Sequence, residues 1–153
     1  MDLILWRHAQ AHDLDVPGAD LERALTEHGQ KQAARMAAWL ARQLPKQTRM
    51  LASPARRTEQ TVQALSRDYT LSDALAPGAT VAQLLALVDW PDATGAVLVV
   101  GHQPVLGQTI AQLMGLPSGQ CSVKKAAIWW LRKQPRSTGA QAVVLAVQSP
   151  AFL

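Results

Sequence analysis

Polar residues that can bind or attack an anion stand directly after three apolar runs of the 153-residue chain. The run DLILW precedes an arginine and a histidine, RMLA precedes a serine followed by two arginines, and AVLVV precedes a glycine and a histidine. These residues are Arg7, His8, Ser53, Arg56, Arg57, Gly101 and His102. A guanidinium offers donors matched to phosphate or carboxylate, and an imidazole can act as nucleophile or proton carrier near neutral pH.

The elements that would position these groups alternate between strand and helix. The runs over 2–6, 49–52 and 96–100 are short and apolar, which predicts buried strands. Apolar residues at helical spacing predict helices over 26–44, 53–65, 80–88 and 104–114. Thr26 and Thr80 are suitable N-caps, and Ser53 with Pro54 forms an N-cap and N1 pair.

This alternation predicts one α/β domain over 1–153, a three-layer α/β/α sandwich with helices on both faces of a mostly parallel central sheet. Two apolar runs near the end, 126–131 and 142–147, are predicted to finish the sheet as strands, in the manner of a hairpin. In such folds the chemistry lies at the carboxyl ends of the strands. If the three early strands are neighbours, two imidazoles and at least two guanidiniums converge there with no carboxylate among them.

The helix expected after Ser53 carries Arg56 and Arg57 in its first turn. The helix dipole disfavours cations there by about 0.3–1 kcal/mol, so the placement favours a bound anion. A phosphate could accept hydrogen bonds from the free N–H groups of the helix start and from a guanidinium. The loop over 9–24 holds three of the chain's aspartates, Asp13, Asp15 and Asp20.

Composition narrows the class of protein. Hydrophobic residues are 48% and charged residues 17%, as in globular proteins. The single Cys121 excludes an intrachain disulfide and has no base beside it in sequence for a catalytic thiolate. No metal-ligand motif is present, so neither a metal nor another cofactor is expected. The net charge is +4, but scattered cations and 5% aromatic residues argue against nucleic-acid binding. A mildly basic surface and a local anion pocket both remain open.

Neither a signal peptide nor a membrane span is expected, and the predicted location is cytoplasmic. Three features outside the strand ends have ordinary structural interpretations. His12 is expected at the pocket rim or in solvent, and His28 on the exposed side of a helix. The pair Trp129 and Trp130 alternates across a strand and is expected to make core or partner contacts.

Four ordered segments resemble the histidine phosphatase superfamily. Residues 5–9 (LWRHA) are similar to its RHG signature, 25–33 (LTEHGQKQA) to LTxxGxxQA, 53–61 (SPARRTEQT) to SPxxRxxQT, and 100–102 (VGH) to its late GH. The chain lacks a large insertion between 61 and 96, and therefore looks most like the compact SixA-type phosphohistidine phosphatases. The resemblance implies a phosphoglycerate-mutase-like fold.

The resemblance also assigns roles. His8 is the expected phosphoryl acceptor, with Arg7, Arg57 and His102 as its catalytic pocket, and the SPxxR spacing selects Arg57 over Arg56. Substrate-binding residues are expected at Arg7, Ser53, Arg57, His102 and Gln103. Two positions depart from the family: Ala9 replaces the glycine of RHG, and the acidic proton donor of larger members has only Asp73 as a weak counterpart.

The function expected is hydrolysis of phosphohistidine on a protein partner, such as a histidine phosphotransfer domain. Arg7 and Arg57 should disfavour the cationic form of His8 and leave it ready to attack phosphorus. Without a clear acid, an imidazole leaves more readily than an alkoxide, which favours P–N over P–O substrates. A small-molecule phosphomonoesterase or mutase, acting on a phosphorylated metabolite with Asp73 or a loop aspartate as acid, and a non-catalytic phosphate-binding module are the alternatives.

Overall fold

The computed structural model of the chain describes residues 1–13, 19–135 and 139–153. Six strands and four α-helices make up the regular structure of these residues. In chain order they are β1 (Asp2–Arg7), α1 (Glu27–Gln43), β2 (Arg49–Ala52), α2 (Arg56–Gln63), β3 (Thr70–Leu71), α3 (Val81–Val88), β4 (Ala96–Gly101), α4 (Val105–Met114), β5 (Ile128–Lys133) and β6 (Ala142–Gln148). Short 3₁₀ turns cover Asp20–Glu22, Asp73–Leu75 and Pro150–Phe152.

All six strands belong to one sheet in the order β3-β2-β4-β1-β5-β6. The first four strands in this order run parallel, β5 runs antiparallel to its neighbours β1 and β6, and β6 therefore points in the same direction as the first four strands. The predicted mostly parallel sheet with a terminal hairpin is therefore confirmed. The two-residue β3 was not expected, because a strand this short has no periodicity to reveal it.

The core lies on both faces of this sheet. Alternate residues of β1 point to opposite sides, so that Ile4 and Trp6 pack with α1 and α2, whereas Leu3 and Leu5 pack with α3 and α4. All four side chains are completely buried. The two layers of helices confirm the predicted α/β/α sandwich.

The helix starts follow the predicted caps with one exception. Thr26 and Thr80 accept hydrogen bonds from the backbone N–H three residues on. The expected N-cap at Ser53 is wrong, because α2 begins at Arg56 after Ala55, which has no side-chain acceptor. The Ser53 hydroxyl instead contacts the His102 ring, and Ser53 is therefore part of the candidate site. The arginine pair still occupies the first turn of α2.

None of the helices in the described parts of the chain combines the length and apolar composition that a membrane crossing needs. The tryptophan pair alternates across β5 as expected. Trp130 joins the core that contains Ile4, and its indole N–H donates to the Asp2 carboxylate at 3.0 Å. Trp129 packs against the core on the opposite face of the sheet.

Candidate active site

The sheet register brings the ends of β1, β2 and β4 together. Arg7 pairs with Gly101, and Ala52 pairs with Val100. Beyond these pairs, the His8 N–H donates to the Gly101 carbonyl and the Ser53 N–H to the Val100 carbonyl, both at 3.1 Å. The predicted convergence of three strand ends is therefore observed. The rings of His8 and His102 lie 5.4 Å apart between centroids.

His8 is held in one orientation and one tautomer. Its Nδ1 lies 2.7 Å from the Ala9 carbonyl oxygen, which can only accept a hydrogen bond. Nδ1 therefore carries the proton, and Nε2 keeps its lone pair. The pKa of His8 is lowered to about 4. Burial is the largest cause, the charges of Arg57 and Arg7 act in the same direction, and the hydrogen bond to the Ala9 carbonyl opposes them. The neutral His8 was expected, but burial rather than the guanidiniums is the largest cause.

His102 is also neutral at neutral pH. Burial lowers its pKa to about 3, with smaller contributions from the charges of Arg57 and His8. Its Nδ1 lies 3.3 Å from Nη2 of Arg57, and since a guanidinium can only donate, Nδ1 must accept. Its Nε2–H then donates to the Ser53 hydroxyl at 2.8 Å. In this structure His102 orients Arg57 and adds no positive charge of its own.

The two arginines of α2 lie in different environments. Arg57 is 4% exposed and reaches the histidine pair, whereas Arg56 is exposed to solvent. The inward direction of Arg57 agrees with the SPxxR spacing.

A carboxylate touches this cluster, contrary to the expectation that none would. Arg57 donates from Nη1 to the Asp20 main-chain oxygen at 2.7 Å and from Nη2 to its Oδ2 at 3.1 Å. Arg23 donates to the other carboxylate oxygen. Burial raises the pKa of Asp20, but the hydrogen bonds from Arg23 and Arg57 outweigh it, so the net pKa lies below its ordinary value. Asp20 is thus an anion at neutral pH.

Two guanidinium N–H groups at the site lack an acceptor. Nη1 of Arg7 donates to the Val123 carbonyl at 2.8 Å. Nε of Arg7 and Nε of Arg57 are buried and have no hydrogen-bond partner, and no other buried side-chain nitrogen or oxygen of the described residues shares this condition. An unpaired buried donor costs about 1–3 kcal/mol, and a phosphoryl oxygen could satisfy both. The donor set therefore fits an anionic ligand.

Two residues expected to bind substrate are placed differently. Ser53 is completely buried, and its hydroxyl contacts the His102 ring. It therefore positions His102 and is not exposed to a substrate. Gln103 uses both ends of its amide within the protein: Nε2 donates to the Cys121 carbonyl, and Oε1 accepts from the Gly107 N–H. It ties the start of α4 to the segment around Cys121. A side chain at Gly107 would collide with that segment, since an added Cβ would lie 1.9 Å from the Cys121 oxygen.

Residues of the second and third motifs hold the loop that follows His8. The Ala9 N–H donates to the Thr61 hydroxyl, and the Gln10 N–H donates to the Gln32 side chain. Gly29 allows α1 to approach this loop, because an added Cβ would lie 1.9 Å from the Gln10 carbonyl oxygen. These motif residues thus fix the backbone that follows His8.

Other candidates stand apart from the cluster. Asp73 is exposed, and its carboxylate makes no ion pair with a described residue. His12 is exposed, as expected, and so is His28. Cys121 is half-buried, and burial raises the pKa of its thiol, which makes a thiolate less available. Asp15 lies outside the described residues. Within the described ranges, no three His, Cys, Asp or Glu side chains are grouped as a metal site would require.

Sequence reasoning missed Asp20 as part of the site. One signal was available: the loop between β1 and α1 leaves the sheet at its carboxyl edge, so it must pass near the strand ends. Which of its three aspartates faces the cluster depends on the path of that loop. The path of the loop cannot be predicted from residue type and spacing.

Comparisons with known proteins agree on one family. Residues 3–76 match the model of the histidine phosphatase superfamily, branch 1. The phosphohistidine phosphatase SixA of Escherichia coli (strain K12) is 32% identical over 123 residues, which cover 74% of each chain. A protein histidine phosphatase SixA solved with tungstate has a TM-score of 0.77 at 28% identity and covers 99% of both chains. A protein of Agrobacterium tumefaciens that carries the name SixA has a TM-score of 0.82 at 23% identity, over 97% of both chains.

Proposed function

Since this chain belongs to the histidine phosphatase superfamily, with SixA-type proteins among its relatives, and is a phosphatase, we propose that it removes the phosphoryl group from phosphohistidine on a protein partner. The reaction proceeds through a covalent phosphohistidine at His8. One observation carries the proposal: a neutral His8 of fixed tautomer lies in a cluster with two buried guanidinium N–H groups that have no protein acceptor.

The first step transfers the phosphoryl group to His8. Nε2 of His8 attacks phosphorus, the new N–P bond forms, and the N–P bond of the substrate breaks with its electron pair going to the departing imidazole. Nδ1–H of His8 continues to donate to the Ala9 carbonyl and supports the positive charge that develops on the ring. The bond that forms is of the same type as the bond that breaks. The transfer is therefore nearly balanced in energy.

The second step regenerates the enzyme. Water attacks phosphorus, the His8–phosphorus bond breaks, and inorganic phosphate leaves while Nε2 recovers its lone pair. Arg7 and Arg57 stabilise the charge on the phosphoryl oxygens through both steps. Guanidiniums supply the positive charge that a metal ion supplies in other phosphoryl-transfer sites, so we propose that no metal is needed.

The proton requirement favours a P–N substrate. The imidazole of phosphohistidine leaves as a neutral molecule when its second nitrogen already carries a proton, whereas an alkoxide needs a proton as it departs. Asp20, the carboxylate at the cluster, is held in its ionised form by Arg23 and Arg57 and has no proton to give at neutral pH. Asp73 is exposed and forms no ion pair with a described residue. Neither carboxyl is set up as a general acid.

A substrate panel tests the proposal. Free phosphohistidine, a phosphohistidine peptide, para-nitrophenyl phosphate and a sugar phosphate are compared by kcat/KM after exhaustive EDTA treatment. We expect phosphohistidine and the activated aryl ester to be hydrolysed well ahead of the sugar phosphate, and tungstate to inhibit. Trapping the phosphoryl group on His8, by an alkaline denaturing quench and mass spectrometry under alkaline conditions that preserve the acid-labile N–P bond, tests the covalent intermediate.

Two results would overturn it. Efficient hydrolysis of the unactivated sugar phosphate would show that an acid operates, as expected of a phosphomonoesterase or mutase. Binding of phosphate without turnover of any substrate would indicate a non-catalytic binding module.

A further inference from the structure

A groove of about 850 Å³ runs beside the catalytic cluster. Arg7 lines this groove, but His8, Arg57 and His102 do not. Three stretches far apart in sequence build it: α1, the turn before β5, and the 3₁₀ turn near the end of the chain. We call it the basic groove, because its lining includes six basic side chains: Arg7, His28, Lys31, Arg35, Lys124 and Lys125.

The basic side chains of α1 form one exposed stripe. His28, Lys31 and Arg35 recur at helical spacing, and all three are exposed. Glu27 pairs with Lys31 at 3.0 Å, and it is the one carboxylate side chain of the described residues that forms an ion pair with a groove cation. Arg35 donates to the main-chain oxygen of Leu153 at 3.3 Å. The stripe thus places two positive charges along one wall of the groove: Lys31, which is paired with Glu27, and Arg35, which forms no ion pair with a side chain of the described residues.

The opposite wall is hydrogen-bonded to the end of β1, where Arg7 and His8 lie. Lys124 and Lys125 belong to a tight turn closed by a hydrogen bond from the Ala127 N–H to the Lys124 carbonyl. The Ala126 N–H donates to the His8 carbonyl, and the Arg7 N–H donates to the Ala127 carbonyl, both at 3.1 Å. Both lysines are exposed and form no ion pair with a described residue. Their positions are therefore tied to the nucleophile, while their ammonium groups face solvent.

Lys125 acts on the catalytic cluster through space. Its charge is among those that lower the pKa of His8. The turn is thus within electrostatic range of the imidazole, and a molecule bound along the basic groove would lie next to the reacting phosphoryl group.

The groove has an apolar component as well. Ala34, Pro150 and Ala151 contribute to its lining, and none of the lining residues is Phe, Tyr or Trp. Nucleic-acid sites that follow a backbone combine cations with aromatic side chains on which bases stack, and such a platform is missing here. Small apolar contacts between two rows of cations suit a protein segment that presents aliphatic and acidic side chains.

We propose that the basic groove is a docking surface for an acidic protein segment adjacent to the phosphohistidine of the partner. This inference rests on the proposed function and deepens it, because it names the surface chemistry of the substrate. Complementary charges at the rim of an interface accelerate association and select partners more than they strengthen the final complex. Acidic side chains near the phosphohistidine would thus bring it to His8.

Two synthetic peptides test the inference. Each contains a single phosphohistidine, flanked by four glutamates in one and by four glutamines in the other. For the unaltered protein at low salt we expect kcat/KM to be about tenfold higher for the glutamate peptide, mainly through KM. The preference should shrink toward unity as NaCl is raised to 0.5 M, because salt screens exposed charges.

Charge reversal locates the effect. In Lys31→Glu/Arg35→Glu the preference for the glutamate peptide should disappear, while kcat/KM for free phosphohistidine stays within about twofold of the unaltered protein. Lys124→Glu should reduce the preference from the opposite wall. The matched control is Arg42→Glu/Lys46→Glu, which makes the same change in net charge at two basic positions that do not line the groove. It should keep the preference.

The outcomes separate the inference from the proposed function. Equal kcat/KM for the two peptides, or equal loss in the control variant, would overturn the docking surface while leaving the phosphatase activity in place. If neither peptide nor free phosphohistidine is hydrolysed, the proposed function fails, and docking is then judged by fluorescence anisotropy with the unphosphorylated peptides. Tighter binding of a single-stranded oligonucleotide of equal charge would contradict a protein partner.

Discussion

The catalytic cluster and the basic groove both depend on cations, but they hold them in opposite ways. Arg57 is 4% exposed, and its fork is shared between Asp20 and His102, whereas Lys124 and Lys125 are exposed and form no ion pair with a described residue. Buried charges act strongly because water does not screen them, and this strength requires fixed partners. Exposed charges act weakly and at longer range, which suits the attraction of a partner.

This difference separates the expected effects of substitutions. A change in the cluster should reduce the turnover of every substrate, small or large. A change at a groove residue outside the cluster should act on the recognition of acidic proteins alone. The predictions below concern the cluster and run from the largest expected effect to the smallest.

Substitution of the nucleophile should have the largest effect. We expect His8→Ala to lower kcat by at least about 1,000-fold for phosphohistidine and for para-nitrophenyl phosphate alike, because no phosphoenzyme can form. The steady-state rate at which each substrate yields inorganic phosphate measures this loss. His12→Ala, at an exposed position outside the cluster, is the control and should retain its activity.

His8 is more deeply buried than a residue of an open pocket wall, with 6% of its surface exposed. His8→Ala could therefore lose some stability along with activity. His8→Asn restores a side-chain N–H that can donate to the Ala9 carbonyl, and it should unfold at nearly the temperature of the unaltered protein while remaining inactive. An active, folded His8→Asn would contradict the assignment of the nucleophile.

Substitution of the two arginines of α2 should have clearly unequal effects on activity. Arg57→Ala should lower kcat/KM by roughly ten- to a hundredfold, since charge-assisted hydrogen bonds contribute about 1.5–3 kcal/mol each. Arg56→Ala should change it less than about threefold, because this side chain is exposed. Arg57→Lys should restore only part of the activity, as an ammonium does not reproduce the planar fork. Equal losses in the two alanine variants would mean that the burial of Arg57 does not determine which of the two arginines contributes to catalysis.

Acid should inactivate the cluster at an unusually low pH. Because burial lowers the pKa of His8 to about 4, the imidazole stays neutral through pH 7 to 5, and its neutral fraction falls about tenfold between pH 5 and 3. An NMR titration of the His8 ring proton should show its midpoint near 4. A midpoint near 6.5 would mean that the imidazole is hydrated.

Folding stability should follow the same titration. In the unfolded chain both imidazoles bind protons at pH values below about 6.5, whereas in the folded protein His8 and His102 stay neutral down to about pH 4 and about pH 3. The unfolded state therefore binds more protons in this window, and the free energy of unfolding should decrease as the pH falls through it. Urea denaturation at pH 7.5, 6 and 5 measures the decrease. A constant free energy of unfolding would contradict the buried neutral pair.

Release of Arg57 from its carboxylate should have the smallest effect. Asp20→Asn removes a negative charge that competes with a bound oxyanion but leaves the main-chain contact to Nη1 of Arg57 in place. The inhibition constant of tungstate should therefore fall about three- to tenfold. Asp73→Asn, at an exposed position without an ion pair, is the matched control and should not change it. Weaker inhibition in Asp20→Asn would show that the carboxylate orients Arg57 rather than competing with the anion.

The order of strands and helices could be predicted from the sequence because it depends on local patterns. Caps at Thr26 and Thr80 and the apolar runs of β1, β2 and β4 act through neighbouring residues, so they are visible in the printed chain. The convergence of His8, Arg57 and His102 followed from these patterns, because parallel strands end at one edge. The cap expected at Ser53 is wrong because α2 begins three residues later, and the Ser53 hydroxyl contacts the Ala55 N–H and the distant His102 ring instead.

Only the tertiary structure decided what surrounds these residues. The contact of Asp20 with Arg57 depends on the path of a loop, and the internal bonds of Gln103 depend on a segment 18 positions away. The basic groove unites α1 with residues 124–125 and 149–151. Such contacts join positions far apart in the chain, and their formation is governed by packing of the whole fold. Residue type and spacing determine which groups are available, whereas packing determines which of them meet and which remain exposed to a partner.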